Sequence, residues 1–159
     1  MTIREQIEQW LQRLQQDLTD NYGKMGLKVS GKWEKDLETF IDERSQGFHF
    51  GIKGASYTYQ LEHGRGPNVN QSQQALLRFV RGAGSTFLAD WVKRKGISVN
   101  PFAAAWKIAR EGIKIPNRYN PGGLVSDIIT DERTDKLIKD IGLIFSTQIK
   151  SDVIKTLKK

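Results

Sequence analysis

Four sets of residues have types and spacings that chemistry could use. Gly26-Leu27-Lys28-Val29-Ser30-Gly31-Lys32 has the spacing of a phosphate-binding loop, in which glycines let backbone amides wrap a phosphate and the lysine reaches its outer oxygens. The next residue breaks the match. Trp33 stands where a serine or threonine must hold magnesium, and no buried apolar strand precedes Gly26, so the segment reads as a turn into an amphipathic stretch. The two histidines are His49 and His63. His49 falls on the polar side of an alternating run and reads as solvent-facing. Glu62, His63 and Arg65 would suit an acid/base cluster of a hydrolase or metal-dependent nuclease beside a flexible loop, against the plainer reading of a loop anchor. No closely spaced ligand pattern singles out a metal. Asp127, Asp131, Glu132 and Asp135 crowd the start of the last predicted helix, where free amides stabilise carboxylates and capping is the better explanation.

Zero cysteines exclude thiol catalysis, disulfides and cysteine-ligated zinc, and neither a Gly-x-Ser-x-Gly elbow nor a Gly-x-Gly-x-x-Gly fingerprint occurs. The expectation is a chain without catalytic residues, cofactor or metal. What remains is charge. The net +7 is uneven: residues 1–64 carry 8 basic and 10 acidic side chains, residues 65–118 carry 10 and 2, and residues 119–159 carry 7 and 6. The basic middle holds Arg78, Arg81, Lys93, Arg94, Lys95, Lys107, Arg110 and Lys114, a candidate surface for duplex DNA or an acidic protein face, against the alternative of solvated helix faces. Phe79, Phe87, Trp91, Phe102 and Trp106 fall among them at helical spacing and read mostly as core, with Tyr119 and the edge of Trp91 as the better candidates for exposed contacts.

The elements that must position these residues follow from periodicity. Thr2-Ile3-Arg4-Glu5 is a capping box, and Ile3, Ile7, Trp10, Leu11, Leu14 and Leu18 form one stripe, predicting a helix over 3–20 and a loop over 21–26. Phe48, Phe50 and Ile52 alternate with polar residues and predict a strand. Tyr57, Tyr59 and Leu61 alternate likewise, so the two runs are expected to pair as a hairpin, with 37–42 as an optional third strand. Ser72 caps a second helix expected to kink or break at Gly82-Ala83-Gly84, and Asn100-Pro101 opens a third that Gly112 ends. A last helix starts at Asp131, with lysines at its end, Lys155, Lys158 and Lys159, that suit the helix dipole. Residues 124–130 fit helix or strand. The 159 residues are expected to form a single domain of α+β class: a small antiparallel sheet packed by an N-terminal helix, middle helices and a long C-terminal helix. No apolar run approaches the roughly 18 residues of a membrane span. Met1 to Glu8 are charged where a signal peptide would be apolar, so a cytoplasmic setting without membrane partners is expected.

This order of parts resembles the tail-completion or neck proteins, the head–tail connector family, of tailed double-stranded DNA bacteriophages. The resemblance is carried by Ser30-Gly31-Lys32-Trp33 through Leu37, by Tyr57-Thr58-Tyr59-Gln60-Leu61-Glu62-His63-Gly64 as an aromatic strand ending in an acidic residue and glycine, and by Asn100-Pro101-Phe102 before a closing helix. Residues 115–123 and the length of the last helix depart from it. The resemblance implies a virion structural protein made in the host bacterial cytoplasm, a homo-oligomeric ring that touches portal, connector or tail proteins, passing contact with duplex DNA, and no catalysis. The loops at 64–70 and 115–123 are then the expected assembly contacts, through Gly64, Arg65, Gly66, Pro67, Asn68, Arg118, Tyr119 and Pro121.

Overall fold

The computed structural model describes residues 1–68 and 70–157; the expected terminal lysines 158 and 159 lie outside the described residues. The fold is α+β, and its residues gather into two compact units, one of residues 1–24, 32–55 and 123–159, the other of residues 25–31 and 56–122.

In the first unit, α1 (Ile3–Lys24) opens with the predicted capping box: the Glu5 amide donates to Thr2 Oγ1 (3.2 Å) and the Thr2 amide to Glu5 Oε2 (2.7 Å). Ile7, Leu11, Leu14, Leu18 and Tyr22 are buried along one stripe. The helix runs four residues past its expected end because Tyr22 continues that stripe and meets Trp33, with ring centroids 4.7 Å apart. Trp33 lies in α2 (Lys32–Lys35) and is 1% exposed, so the residue that spoils the phosphate-loop pattern is a core residue. Trp10 is half-buried, its ring edge-on to Phe50 at 6.1 Å.

The sheet has two antiparallel strands, β1 (Glu38–Arg44) and β2 (Gly47–Lys53), in the register Glu38↔Lys53, Ile41↔Phe50 and Arg44↔Gly47. The expected hairpin partner was wrong. The optional third strand is the true partner, joined through the two-residue turn Ser45-Gln46, while Thr58–His63 coils into α3. The alternation of Tyr57, Tyr59 and Leu61 concealed a helical pattern. Tyr57 and Leu61, four apart, are half-buried, while Tyr59 is 70% exposed and stacks on His63, also four apart, at 4.6 Å.

The last helix, α7 (Asp131–Leu157), runs antiparallel along α1: Arg133 pairs with Asp17 (2.7 Å) and Gln6 Nε2 donates to Asp140 (3.4 Å). Residues 124–130 are neither helix nor strand but a chain of turns ending at Thr130. Asn21 Nδ2 donates to the carbonyls of Gly123 and Leu124, 3.0 Å each, and the Leu124 side chain is fully buried.

The second unit holds α3, α4 (Gln73–Ser85), α5 (Phe87–Lys95) and α6 (Pro101–Glu111). Both predicted caps form: Ser72 Oγ accepts from the Ala75 amide (3.3 Å), and Asn100 Oδ1 from the Phe102 and Ala103 amides (2.9 and 3.2 Å). The core is Val80, Ala83, Leu88, Ala105 and Ala109. The expected break at 82–84 is displaced to Thr86, whose φ of −116° and ψ of −103° leave the helical region. Ala83 and Gly84 are buried, and a Cβ at Gly84 would strike the Phe102 ring. Small residues thus bring α4 and α6 close, which explains a second correction. Phe87, Phe102 and Trp106 are 57, 45 and 37% exposed, since large rings find no room between helices that meet on alanine and glycine.

Candidate assembly surface

The surface is built from α3 outward. Its C-terminal turn ends at Gly64, whose φ of +80° reverses the chain so that Arg65 lies antiparallel to Ile113. The Arg65 amide donates to the Ile113 carbonyl (2.9 Å), the Ile113 amide to the Arg65 carbonyl (2.8 Å), and the Asn68 amide to the Ala109 carbonyl (2.7 Å). Gly112, with φ +73°, completes the cradle. A Cβ on Gly64 would overlap the Ile113 carbonyl oxygen, and one on Gly112 the Arg65 carbonyl oxygen. Residues 64–68 are therefore a clamped edge, not the freely exposed loop expected. Gly64 is buried, Arg65 and Asn68 are half-buried, and Gly66 and Pro67 form the exposed lip.

The Arg65 guanidinium lies 4.9 Å from the Phe79 ring centroid and donates through Nη2 to Asn68 Oδ1. Gln60, Asn70 and Gln71 join residues 65–68 in lining an open groove of about 370 Å³.

The second loop is tied to the same helix. Asn120 is buried; its Nδ2 donates to the Leu61 carbonyl (2.7 Å) and its Oδ1 accepts from the Gly122 amide (3.0 Å). Asn117 Oδ1 accepts from the Tyr119 and Asn120 amides, 2.8 and 3.0 Å, closing a tight turn. Sequence reasoning missed both asparagines, although two asparagines three apart beside prolines and glycines are a turn signal. The turn leaves Arg118, Tyr119 and Pro121 exposed, with the Arg118 guanidinium 5.7 Å from the Tyr119 ring and Tyr119 edge-on to Trp91 at 5.1 Å.

The other candidates disperse. His63 is exposed, and no group of three His, Cys, Asp or Glu side chains is placed to hold a metal among the described residues. His49 is exposed, as expected, with its ring 5.2 Å from Phe40. Glu132 caps the start of α7: its own backbone amide, then the Thr130 hydroxyl, hold its carboxyl below the ordinary glutamate range.

The charge segregates with the units. The second unit has 11 basic and 3 acidic side chains, net +8, and the first 14 and 15, net −1. The basic residues do not form one face. Arg94 pairs with Asp90 (2.7 Å), Lys95 donates to the Gly26 carbonyl, and Arg110 lies 4.0 Å from Glu111. Arg78 and Arg81 are exposed on the side of α4 opposite Val80 and Ala83, where with Leu77 and Ser85 they line an open groove of about 580 Å³. Lys107 and Arg110 are exposed on the side of α6 opposite Ala105 and Ala109. Lys93 and Lys114 are exposed apart from either pair.

Comparisons with protein-family models, with curated proteins and with solved structures return no match.

Proposed function

We propose that this chain is a structural subunit of a tailed-phage virion, part of the head–tail connector, neck or tail-completion ring, acting through self-assembly and contacts with neighbouring virion proteins. One observation carries the reading beyond the resemblance: two surface loops of one unit are locked by backbone pairing and buried asparagine amides, yet present Gly66, Pro67, Arg118, Tyr119 and Pro121 to solvent. Rigid tips of this kind dock without an ordering cost, which suits a subunit that meets fixed neighbours. The helical state of residues 58–63 departs from the aromatic strand of the resemblance; the leading helix, the segment around Trp33, the Pro101-opened helix and the closing helix agree with its layout. The test is particle incorporation. The wild-type chain is expected in purified virions and as closed rings by electron microscopy, and Arg118→Ala with Tyr119→Ala is expected to remain folded yet be excluded. Absence of the wild-type chain from virions would refute the reading.

A second reading, non-sequence-specific DNA binding, is favoured by the +8 unit and by the partly exposed Phe102 and Trp106 beside Lys107 and Arg110 on α6. Phosphate contacts would give an affinity that falls by about 0.9 log units per log unit of salt for each phosphate neutralised. Submicromolar binding to unrelated duplexes at about 0.15 M salt, lost in Lys107→Gln with Arg110→Gln, would select this reading over the first.

A further inference from the structure

Helix α7 has two apolar faces. Leu137, Ile141 and Ile144 lie toward α1, the first buried and the others half-buried. A second stripe of Ile138, Phe145, Ile149 and Val153, continued by Leu157, follows helical spacing on another side and is 48–80% exposed. From Phe145 to Leu157 every described residue is exposed, so about 20 Å of helix continues with no tertiary contact. An amphipathic helix of that length depends on packing of its apolar face for most of its stability.

We infer that this stripe pairs with the same stripe of a second copy of the chain, the two α7 tails lying antiparallel about a two-fold axis beside Ser151. The spacing is self-complementary. Reversal about position 151 sets Phe145 opposite Leu157 and Ile149 opposite Val153, larger against smaller throughout, as an isologous contact requires. Charge agrees on one flank. In an antiparallel pair each flank meets its own copy, and the flank bearing Gln148, Asp152 and Lys155 has one charge of each sign. Lys150, on the other flank, approaches Lys150 of the second copy across the axis. The exposed side chains of the stripe from 145 to 157 offer on the order of 500 Å² per chain, near 1,000 Å² for the pair, the size at which a specific interface begins. The pairing uses no residue of the 64–68 or 117–121 loops and holds whether or not the chain is a virion subunit.

The full chain is examined by sedimentation equilibrium over a concentration series, with Ile149→Asp/Val153→Asp and Lys150→Gln beside it. The expected result is a two-chain mass for the wild type, a single-chain mass for the Asp variant with an unchanged helical circular dichroism spectrum, and tighter association for Lys150→Gln. Because the chain has no cysteine, Phe145→Cys and Leu157→Cys chains mixed under mild oxidation report the direction. Crosslinks between unlike positions are expected; like-with-like crosslinks would overturn the antiparallel arrangement. A wild-type chain that stays single at all concentrations, a dimer indifferent to the Asp pair, or a single chain that binds anionic phospholipid vesicles through this stripe would each overturn the pairing. If the Asp variant loses helix content, Lys150→Gln and the crosslinks still decide.

Discussion

Gly64→Ala tests whether the clamped edge organises the candidate surface. The backbone at Gly64 has φ +80°, which costs an alanine about 1 kcal/mol relative to glycine. The added Cβ would also overlap the Ile113 carbonyl oxygen, so the two strands must separate. Separation removes the reciprocal bonds of 2.9 and 2.8 Å between Arg65 and Ile113, each contributing about 1 kcal/mol net. The expected loss is about 3 kcal/mol, centred on the second unit. It should appear in urea unfolding followed by the fluorescence of Trp91 and Trp106 with Trp10 and Trp33 replaced by phenylalanine, both variants being measured in that background. Hydrogen exchange supplies the local readout, since the Arg65 and Ile113 amides should exchange far faster in the variant. Gly66→Ala is the control. A Cβ there meets nothing within 4 Å, so the change should stay within about 0.5 kcal/mol. A Gly64→Ala protein that loses less than about 1 kcal/mol and keeps both amides protected would refute the clamp.

Leu14→Ala should cost about 2–5 kcal/mol in urea unfolding, because Leu14 is 2% exposed in the α1 stripe. In α4, Gly82→Ala should stabilise by about 0.5–1 kcal/mol, having open space around its Cβ, whereas Gly84→Ala should destabilise by about 1–3 kcal/mol through collision with Phe102; equal effects in thermal melts would contradict the close α4–α6 approach. Arg118→Ala should leave unfolding within about 0.5 kcal/mol, while Arg65→Ala should lose about 1 kcal/mol through its Phe79 stack and Asn68 bond. The Glu132 carboxyl should titrate below an ordinary glutamate by NMR. Its contribution to the α7 N-terminus is complete above the unfolded-state pKa and is lost as pH falls through the lowered folded value, so acid should fray this end and Glu132→Gln should remove that part of the response.

Local signals determined much of this protein. The α1 capping box and stripe, the Asn100-Pro101 start and Gly112 end of α6, the start of α7 and the α+β class all follow from interactions within a few residues of one another, and such interactions are written in spacing. The loops at 64–68 and 117–122 were legible as loops for the same reason. Their anchoring was not. Whether Gly64 is free or clamped depends on Ile113, about fifty residues away, and whether Asn120 is exposed or buried depends on the Leu61 carbonyl. Strand pairing was decided in the same way. Two alternating runs on either side of β2 offered the same period, and the choice fell to the one that a two-residue turn could close, leaving Tyr57 and Leu61 to be satisfied at helical spacing. The aromatic rings of the second unit show the limit most plainly. Hydrophobic type predicted Phe87, Phe102 and Trp106 inside, but alanine and glycine at the α4–α6 contact set a separation too small for rings. A separation between helices belongs to pairs of elements, and no single stretch of sequence contains it.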